Sequence, residues 1–241
     1  GNYLISKYIR ENTDCKVIFN GDGADELMGG YLYMKKAPSK YEFDRECKRL
    51  LQDIYMFDVL RSDKSISSNG LEPRTPFLDR SWVEFYLSID KDIRYETTKK
   101  ECEKYLIRKT FDVLEPNLLP KEILWRTKEA FSDGVSGLNK SWYEIIQEKL
   151  KFMFNDDKNL KNELDKLIEI YDNLDLQNKP DTYEKAYYRY LYNIHYQSTD
   201  HLIEYYWMPK YVNAKDASAR TLDIYKNSKN NNKNSNNCLL I

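Results

Sequence analysis

The run Val17-Ile18-Phe19-Asn20-Gly21-Asp22-Gly23-Ala24-Asp25-Glu26-Leu27-Met28-Gly29-Gly30-Tyr31 places four of the chain's eight glycines within ten residues and threads three carboxylates among them. A short apolar run that feeds a glycine-rich turn and then a helix is a recurrent device for holding phosphate. Gly21 and Gly23 permit positive φ and close backbone approach, so amide N–H groups can face an anion. The N-terminus of the following helix adds partial positive charge. Carboxylates in such a loop repel phosphate unless a cation lies between them. Asp25 therefore reads as a ligand for Mg²⁺, an ion that commonly bridges one or two carboxylates to phosphate oxygens. An acidic glycine turn that only caps a helix, with Asp22 as the N-cap, accounts for the same spacing.

Two later segments bear on that choice. Glu72-Pro73-Arg74-Thr75-Pro76-Phe77-Leu78-Asp79 is a rigid extended stretch with prolines on either side of one arginine. Leu124-Trp125-Arg126-Thr127-Lys128-Glu129-Ala130-Phe131-Ser132-Asp133-Gly134-Val135 carries two cations beside aromatic anchors, outside any obvious helical stripe. Singly, each is equally well a buried connection with salt-bridged charges. Together with the opening loop they amount to a magnesium carboxylate, phosphate-binding amides and cations, which are the parts of a nucleotide site.

In order and spacing, NGDGADELMGGYLYMKKAP, RTPFLD and LWRTKEAFSDGVS resemble the C-terminal synthetase domain of the glutamine-hydrolysing asparagine synthetase family, and YYWMPKYVNAKDASARTLDIYK resembles the end of its eukaryotic form. The resemblance covers residues 1–226. It implies an α/β ATP-pyrophosphatase fold of the PP-loop type, a parallel sheet wrapped in helices, preceded by an N-terminal glutaminase domain. Neither that glutaminase nor the family's Ser-Gly-Gly-x-Asp-Ser pyrophosphate loop occurs in this sequence, so the chain reads as truncated and inactive alone. The implied reaction joins aspartate to ATP, giving β-aspartyl-AMP and pyrophosphate, after which ammonia from glutamine displaces AMP to form asparagine. Carried over by motif position, Asn20, Gly21 and Gly23 line the nucleotide, Asp25 holds Mg²⁺ on the pyrophosphate, and Lys128 neutralises charge on the phosphates. Asp22 falls on the acidic position tied to the adenylate and the ammonia step, with general-base work as its task. Arg74 and Asp79 are assigned to one wall of the site. The resemblance also implies a cytoplasmic enzyme and admits a homodimer.

The chain departs from the family at the loop itself. Asn20-Gly21-Asp22-Gly23 stands where the family shows Ser-Gly-Glu-Gly, and aspartate is one methylene, about 1.5 Å, shorter than glutamate. A misplacement on the order of 1 Å can cost ~10²-fold in rate. β-Lactam synthetase and related adenylating enzymes share the fold and the magnesium aspartate but tend towards a tyrosine-based arrangement at position 22. The acidic residue and the WMPKYVNAKDASARTL ending favour asparagine synthesis. A rival of a different kind is a non-catalytic fragment or pseudo-enzyme that only binds a partner.

The elements that must position these residues are mostly helical. Lys16 to Phe19 reads as a buried strand, and no second strand with parallel-sheet character is evident, so the fold class is α/β with one orphan parallel strand near 16–19. Residues 1–14 form an amphipathic helix with Leu4, Ile5, Tyr8 and Ile9 at core spacing. Ser39 with Glu42 is a capping box opening a helix that runs to about residue 64. Cys102, Tyr105, Leu106, Thr110 and Val113 mark another, ending before Pro116. Ser141 with Glu144 and Asp181 with Glu184 open two more. Leu160, Leu164, Leu167, Ile168 and Tyr171 stripe a further helix within the variable stretch 155–179.

Bulk properties exclude some functions. In 241 residues, 38 basic against 39 acidic side chains give a net charge of -1, so no global field draws the chain to nucleic acid or an acidic membrane face. Aromatic clusters such as Tyr187-Tyr188-Arg189-Tyr190 belong to packing rather than base stacking. Cys15, Cys47, Cys102 and Cys238 show no metal spacing and read as reduced thiols of an intracellular protein without a signal peptide. Residues 227–241 are Asn- and Lys-rich and read as disordered. They end in Cys238-Leu239-Leu240-Ile241, which has the form of a prenylation box, so a membrane partner arises only if Cys238 is prenylated.

Overall fold

Val17-Ile18-Phe19 forms strand β1 (Val17–Phe19), and β1 is not an orphan. The computed structural model, which describes residues 1–225 except 101, 127, 129, 136–139, 175–177, 203, 215 and 224, pairs it in parallel with β2 (Glu72–Arg74). Val17, Ile18 and Phe19 stand opposite Glu72, Pro73 and Arg74. Pro73 disguised the second strand, because proline has no ladder donor. The ladder avoids it: the Glu72 N–H donates to the Lys16 carbonyl at 2.8 Å and the Asn20 N–H to the Arg74 carbonyl at 2.9 Å. These donors bracket Pro73, whose missing N–H falls outside the pairing. The C-terminal tail with its Cys238 box lies outside the described residues.

The chain divides into two compact units, Gly1–Ala130 with Pro209–Ile241, and Phe131–Met208. In the first, α1 (Asn2–Asn12) precedes β1 and packs on the later helix α4 (Leu60–Ser67). Its expected core stripe is corrected: Leu4, Ile5 and Tyr8 are exposed, and Ser6 is the buried residue. After the glycine turn comes α2 (Ala24–Met28), which carries Asp25 and Glu26. The crossover to β2 is helical, as a parallel pair requires. It consists of α3 (Lys40–Ile54), one π-helical turn (Tyr55–Val59) and α4 (Leu60–Ser67), the uninterrupted helical run expected behind Ser39. The Ser39 hydroxyl accepts the Glu42 N–H at 3.2 Å, and Phe43, Cys47 and Leu50 point inward.

Beyond β2 follow α5 (Arg80–Ser88), α6 (Lys91–Thr98), α7 (Tyr105–Leu114) and α8 (Lys121–Leu124). The apolar side of α2 (Ala24, Leu27, Met28) is buried with Tyr86 against Phe77, Trp82, Val83 and Leu106. This short helix cannot hold its shape alone; burial of one face fixes the acidic face. The fully buried Arg94 of α6 pairs with Asp44 of α3 and donates to the Ile89 carbonyl at 3.0 Å.

The second unit holds α9 (Phe131–Val135), α10 (Trp142–Asp156), α11 (Lys158–Asp172) and α12 (Tyr183–His195). The Ser141–Glu144 capping box is present. Leu160, Leu164 and Ala186 form the core, flanked by Leu167 and Ile168. Thr182 rather than Asp181 caps α12, accepting the Lys185 N–H at 3.3 Å, while Asp181 pairs with the Lys185 ammonium. Among the described residues Cys15, Cys47 and Cys102 are free thiols, and no helix is long and apolar enough to cross a membrane.

Candidate functional site

The loop after β1 is held by its own amides. Asn20 Oδ1 accepts the Asp22 N–H at 3.1 Å, and Asn20 Nδ2 donates to the Ser62 hydroxyl of α4 at 3.3 Å. Both ends of this side chain serve the turn, the local hydrogen bonding for which asparagine is favoured. Gly23, not Asp22, is the N-cap of α2. Its φ of +86° is left-handed, and a Cβ there would meet Leu78 Cδ2 at 2.2 Å, so both backbone and packing demand glycine. Asp22 is thereby released from capping, and its Oδ2 is buried without a hydrogen-bond partner. Asn20 and Asp22 line a cavity of about 390 Å³ together with Tyr55, Asp63, Thr75 and Leu78. At Gly21, in the same turn, a Cβ would meet nothing within 4 Å.

Asp25, in the first turn of α2, is the centre of an ion cluster. Its Oδ1 accepts from the Lys104 ammonium, and its Oδ2 lies 3.8 Å from Lys128 Nζ. All three side chains are largely shielded: Asp25 is 24 % exposed, Lys104 17 % and Lys128 12 %. Gly30 makes room for the carboxylate, because a Cβ at that position would stand 2.0 Å from Asp25 Oδ1. Lys104 caps α7 at a φ of +57°. This left-handed backbone costs a lysine on the order of 1 kcal/mol, and such strain clusters at functional sites. Lys128 lies outside any helix. Its N–H donates to Glu103 Oε2 at 3.3 Å, its ammonium stands 4.9 Å from the centre of the Tyr31 ring, and Glu103, buried, also holds Lys35 at 3.3 Å.

Negative charge is crowded here. Burial pushes the Glu26 carboxyl up to about 7, with the Tyr31 hydroxyl, which donates to it, offsetting part of the rise. Asp58, on the π-helical turn, is raised by burial and then by the Asp22 carboxylate, against the pull of Arg61. Burial and Glu26 push the Tyr31 hydroxyl up as well. Among the described residues no group of three or more His, Cys, Asp or Glu could hold a metal. A closed protein cage therefore does not fit. Magnesium of the open kind, held by one or two carboxylates and completed by phosphate and water, asks of the protein only a carboxylate such as Asp25.

Of the residues named from sequence, Asp25 and Lys128 meet in the cluster, while Asn20 and Asp22 share the cavity beside the Gly21–Gly23 turn. Arg74 does not join them: its guanidinium pairs with Glu72 at 2.6 Å, and only its backbone carbonyl reaches the loop. Asp79 caps α5, accepting from the Ser81 and Trp82 N–H groups at 3.0 and 3.1 Å. Lys104, Tyr31, Glu26 and Asp58 were missed. The one available signal for Lys104 was a charge count, since three adjacent carboxylates call for more than one cation.

The sequence profile of the asparagine synthase family matches residues 1–43 and 35–164. Among curated proteins, the asparagine synthetases (glutamine-hydrolyzing) of Homo sapiens and Gallus gallus are each 46% identical to this chain over 228 residues, 95% of the chain and 38% of the relative. That of Bos taurus is 46% identical over 226 residues, 94% of the chain and 38% of the relative. The chain thus spans 38% of the length of the curated relatives it matches.

Proposed function

The chain belongs to the asparagine synthase family, and from that premise we propose that it carries the aspartate-adenylating site of an ATP-dependent asparagine synthetase on a PP-loop type of fold. In this reading the substrates are aspartate, ATP and ammonia released from glutamine by a glutaminase domain. The observation that carries it is Asp25 set between Lys104 and Lys128 at the end of a strand–glycine turn–helix.

In the first step an oxygen of the aspartate β-carboxylate bonds to the α-phosphorus of ATP, and the bond from that phosphorus to the β-phosphate oxygen breaks. Pyrophosphate leaves with the electron pair. Lys104 and Lys128, both shielded from water, face the charge that gathers on this leaving group, where a fixed cation acts more strongly than in bulk solvent. Asp25 would hold the Mg²⁺, which would supply further positive charge against the phosphates. Asn20 shapes the wall against the nucleotide, Gly21 leaves the turn beside it open to close approach, and Arg74 supports that wall through its backbone carbonyl.

In the second step ammonia nitrogen bonds to the acyl carbon, AMP departs with the electrons of the broken C–O bond, and nitrogen loses a proton. Asp22 is suited to accept it, having an oxygen without a partner and a place on the cavity wall. A cytosolic location and a homodimer belong to the same reading.

The test is pyrophosphate release by the natural full-length protein. It is expected to require both ATP and aspartate, and Lys128→Met is expected to lower kcat by about 10²–10³-fold. A folded full-length protein with no aspartate-dependent release overturns the reading in favour of a partner-binding pseudo-enzyme.

A further inference from the structure

Lys128 has two partners of different character. Asp25 binds its ammonium as an anion does; the Tyr31 ring meets it with the negative face of a π-system, 4.9 Å from the ring centre. The ring itself is anchored on three sides. Its hydroxyl donates to buried Glu26, its backbone follows the Gly29-Gly30 pair that ends α2, and its face is stacked on Tyr33 at 5.9 Å and 15°. Tyr33 is buried, and its hydroxyl donates to Glu46 at 2.8 Å; Glu46 is in turn gripped by Arg49 at 2.7 Å. A stack buried at its Glu46 and Tyr33 end thus runs from α3 to the Lys128 ammonium.

We propose that Tyr31 is a positioning residue: its ring is a fixed shelf that keeps the Lys128 ammonium in the site when Asp25 is drawn to another cation. A carboxylate shared between a lysine and an incoming divalent ion loosens its hold on the lysine. An aromatic face attracts the same ammonium without cancelling its charge and without competing for the metal. Lys128 lies in no helix, and among the described residues Asp25 and Tyr31 at its ammonium and Glu103 at its backbone are the contacts that aim it. The inference rests on the reading of Lys128 as the cation facing pyrophosphate.

The experiment uses the full-length protein with ¹³Cε-labelled lysine, the Lys128 signal being assigned by its loss in Lys128→Arg. Ring current from Tyr31 is expected to shift the Lys128 ε-protons upfield. The shift should vanish in Tyr31→Leu and persist in Tyr31→Phe. In the pyrophosphate assay, Tyr31→Leu should lower kcat about tenfold with the KM for aspartate unchanged, while Tyr31→Phe stays within about twofold of the parent. An unshifted Lys128 signal in the folded parent protein overturns the shelf without any variant. So does equal loss of activity in Tyr31→Phe and Tyr31→Leu. A shifted signal in a protein that releases no pyrophosphate leaves the shelf standing and overturns the functional reading instead.

Discussion

Asp22 and Asp25 are three residues apart, yet the fold gives them opposite circumstances. Asp25 is matched by two ammonium groups, whereas Asp22 has an oxygen with no partner and the repelling Asp58 carboxylate nearby. That asymmetry supports separate tasks, one for charge and one for a proton. Glu26, next in sequence, makes the energetics of such crowding measurable. Its folded pKa of about 7 lies above its ordinary 4.5, so the folded protein keeps a proton that the unfolded chain releases. Glu26 therefore adds its full share of stability below pH 4.5. That share falls as pH rises and is gone above pH 7, a span worth roughly 3 kcal/mol. Urea unfolding midpoints are expected to drop from pH 5 to pH 8 in the parent and to stay flatter in Glu26→Gln. Parallel pH dependence in the two proteins would show that Glu26 is charged throughout.

At the scale of elements, the site is a product of short pieces that need their surroundings. The five-residue α2 is rigid because its apolar side is buried, and its two ends are glycines that no side chain could replace without collision. Gly30→Ala is expected to push the Asp25 carboxylate off Lys104 and lower kcat by about 10²-fold, with far-UV circular dichroism unchanged. Parental activity in a folded Gly30→Ala protein would remove Asp25 from the mechanism.

Element-level features were unevenly legible in the sequence. β1, the Ser39 and Ser141 caps and the long helical crossover carry local signals, namely β-branched residues, capping boxes and 3.6-residue stripes. β2 has only three residues, one of them proline, and declares itself through a partner more than fifty positions away. The π-helical turn that brings Asp58 near Asp22 has no compositional mark, since it differs from α-helix by one hydrogen-bond step. Lys104 reaches Asp25 across 79 positions, and Tyr31 meets Lys128 across a comparable span. Such residues belong to the site by topology, and spacing cannot reveal them.

At the scale of the molecule, both the sheet and α1 leave large apolar side chains open. Phe19 is 78 % exposed, and Leu4 and Tyr8 are about two-thirds exposed. The helical periodicity of α1 is sound, but periodicity tells which residues share a face and not what covers it. The second unit needs none of the site residues for its own core, which is built from Leu160, Leu164 and Ala186. In the proposed reading, loop, crossover, β2 and the Lys104 and Lys128 segments serve one reaction centre, attack of a carboxylate on the α-phosphorus with pyrophosphate as the leaving group.

The most direct test follows an oxygen atom. Aspartate labelled with ¹⁸O in its β-carboxylate is given to the natural full-length protein with ATP, magnesium and an ammonia source, and the nucleotide and phosphate products are analysed by mass spectrometry. The account predicts one ¹⁸O in the phosphate of AMP and none in pyrophosphate. Label in inorganic phosphate alongside ADP, or AMP formed without label, would contradict it.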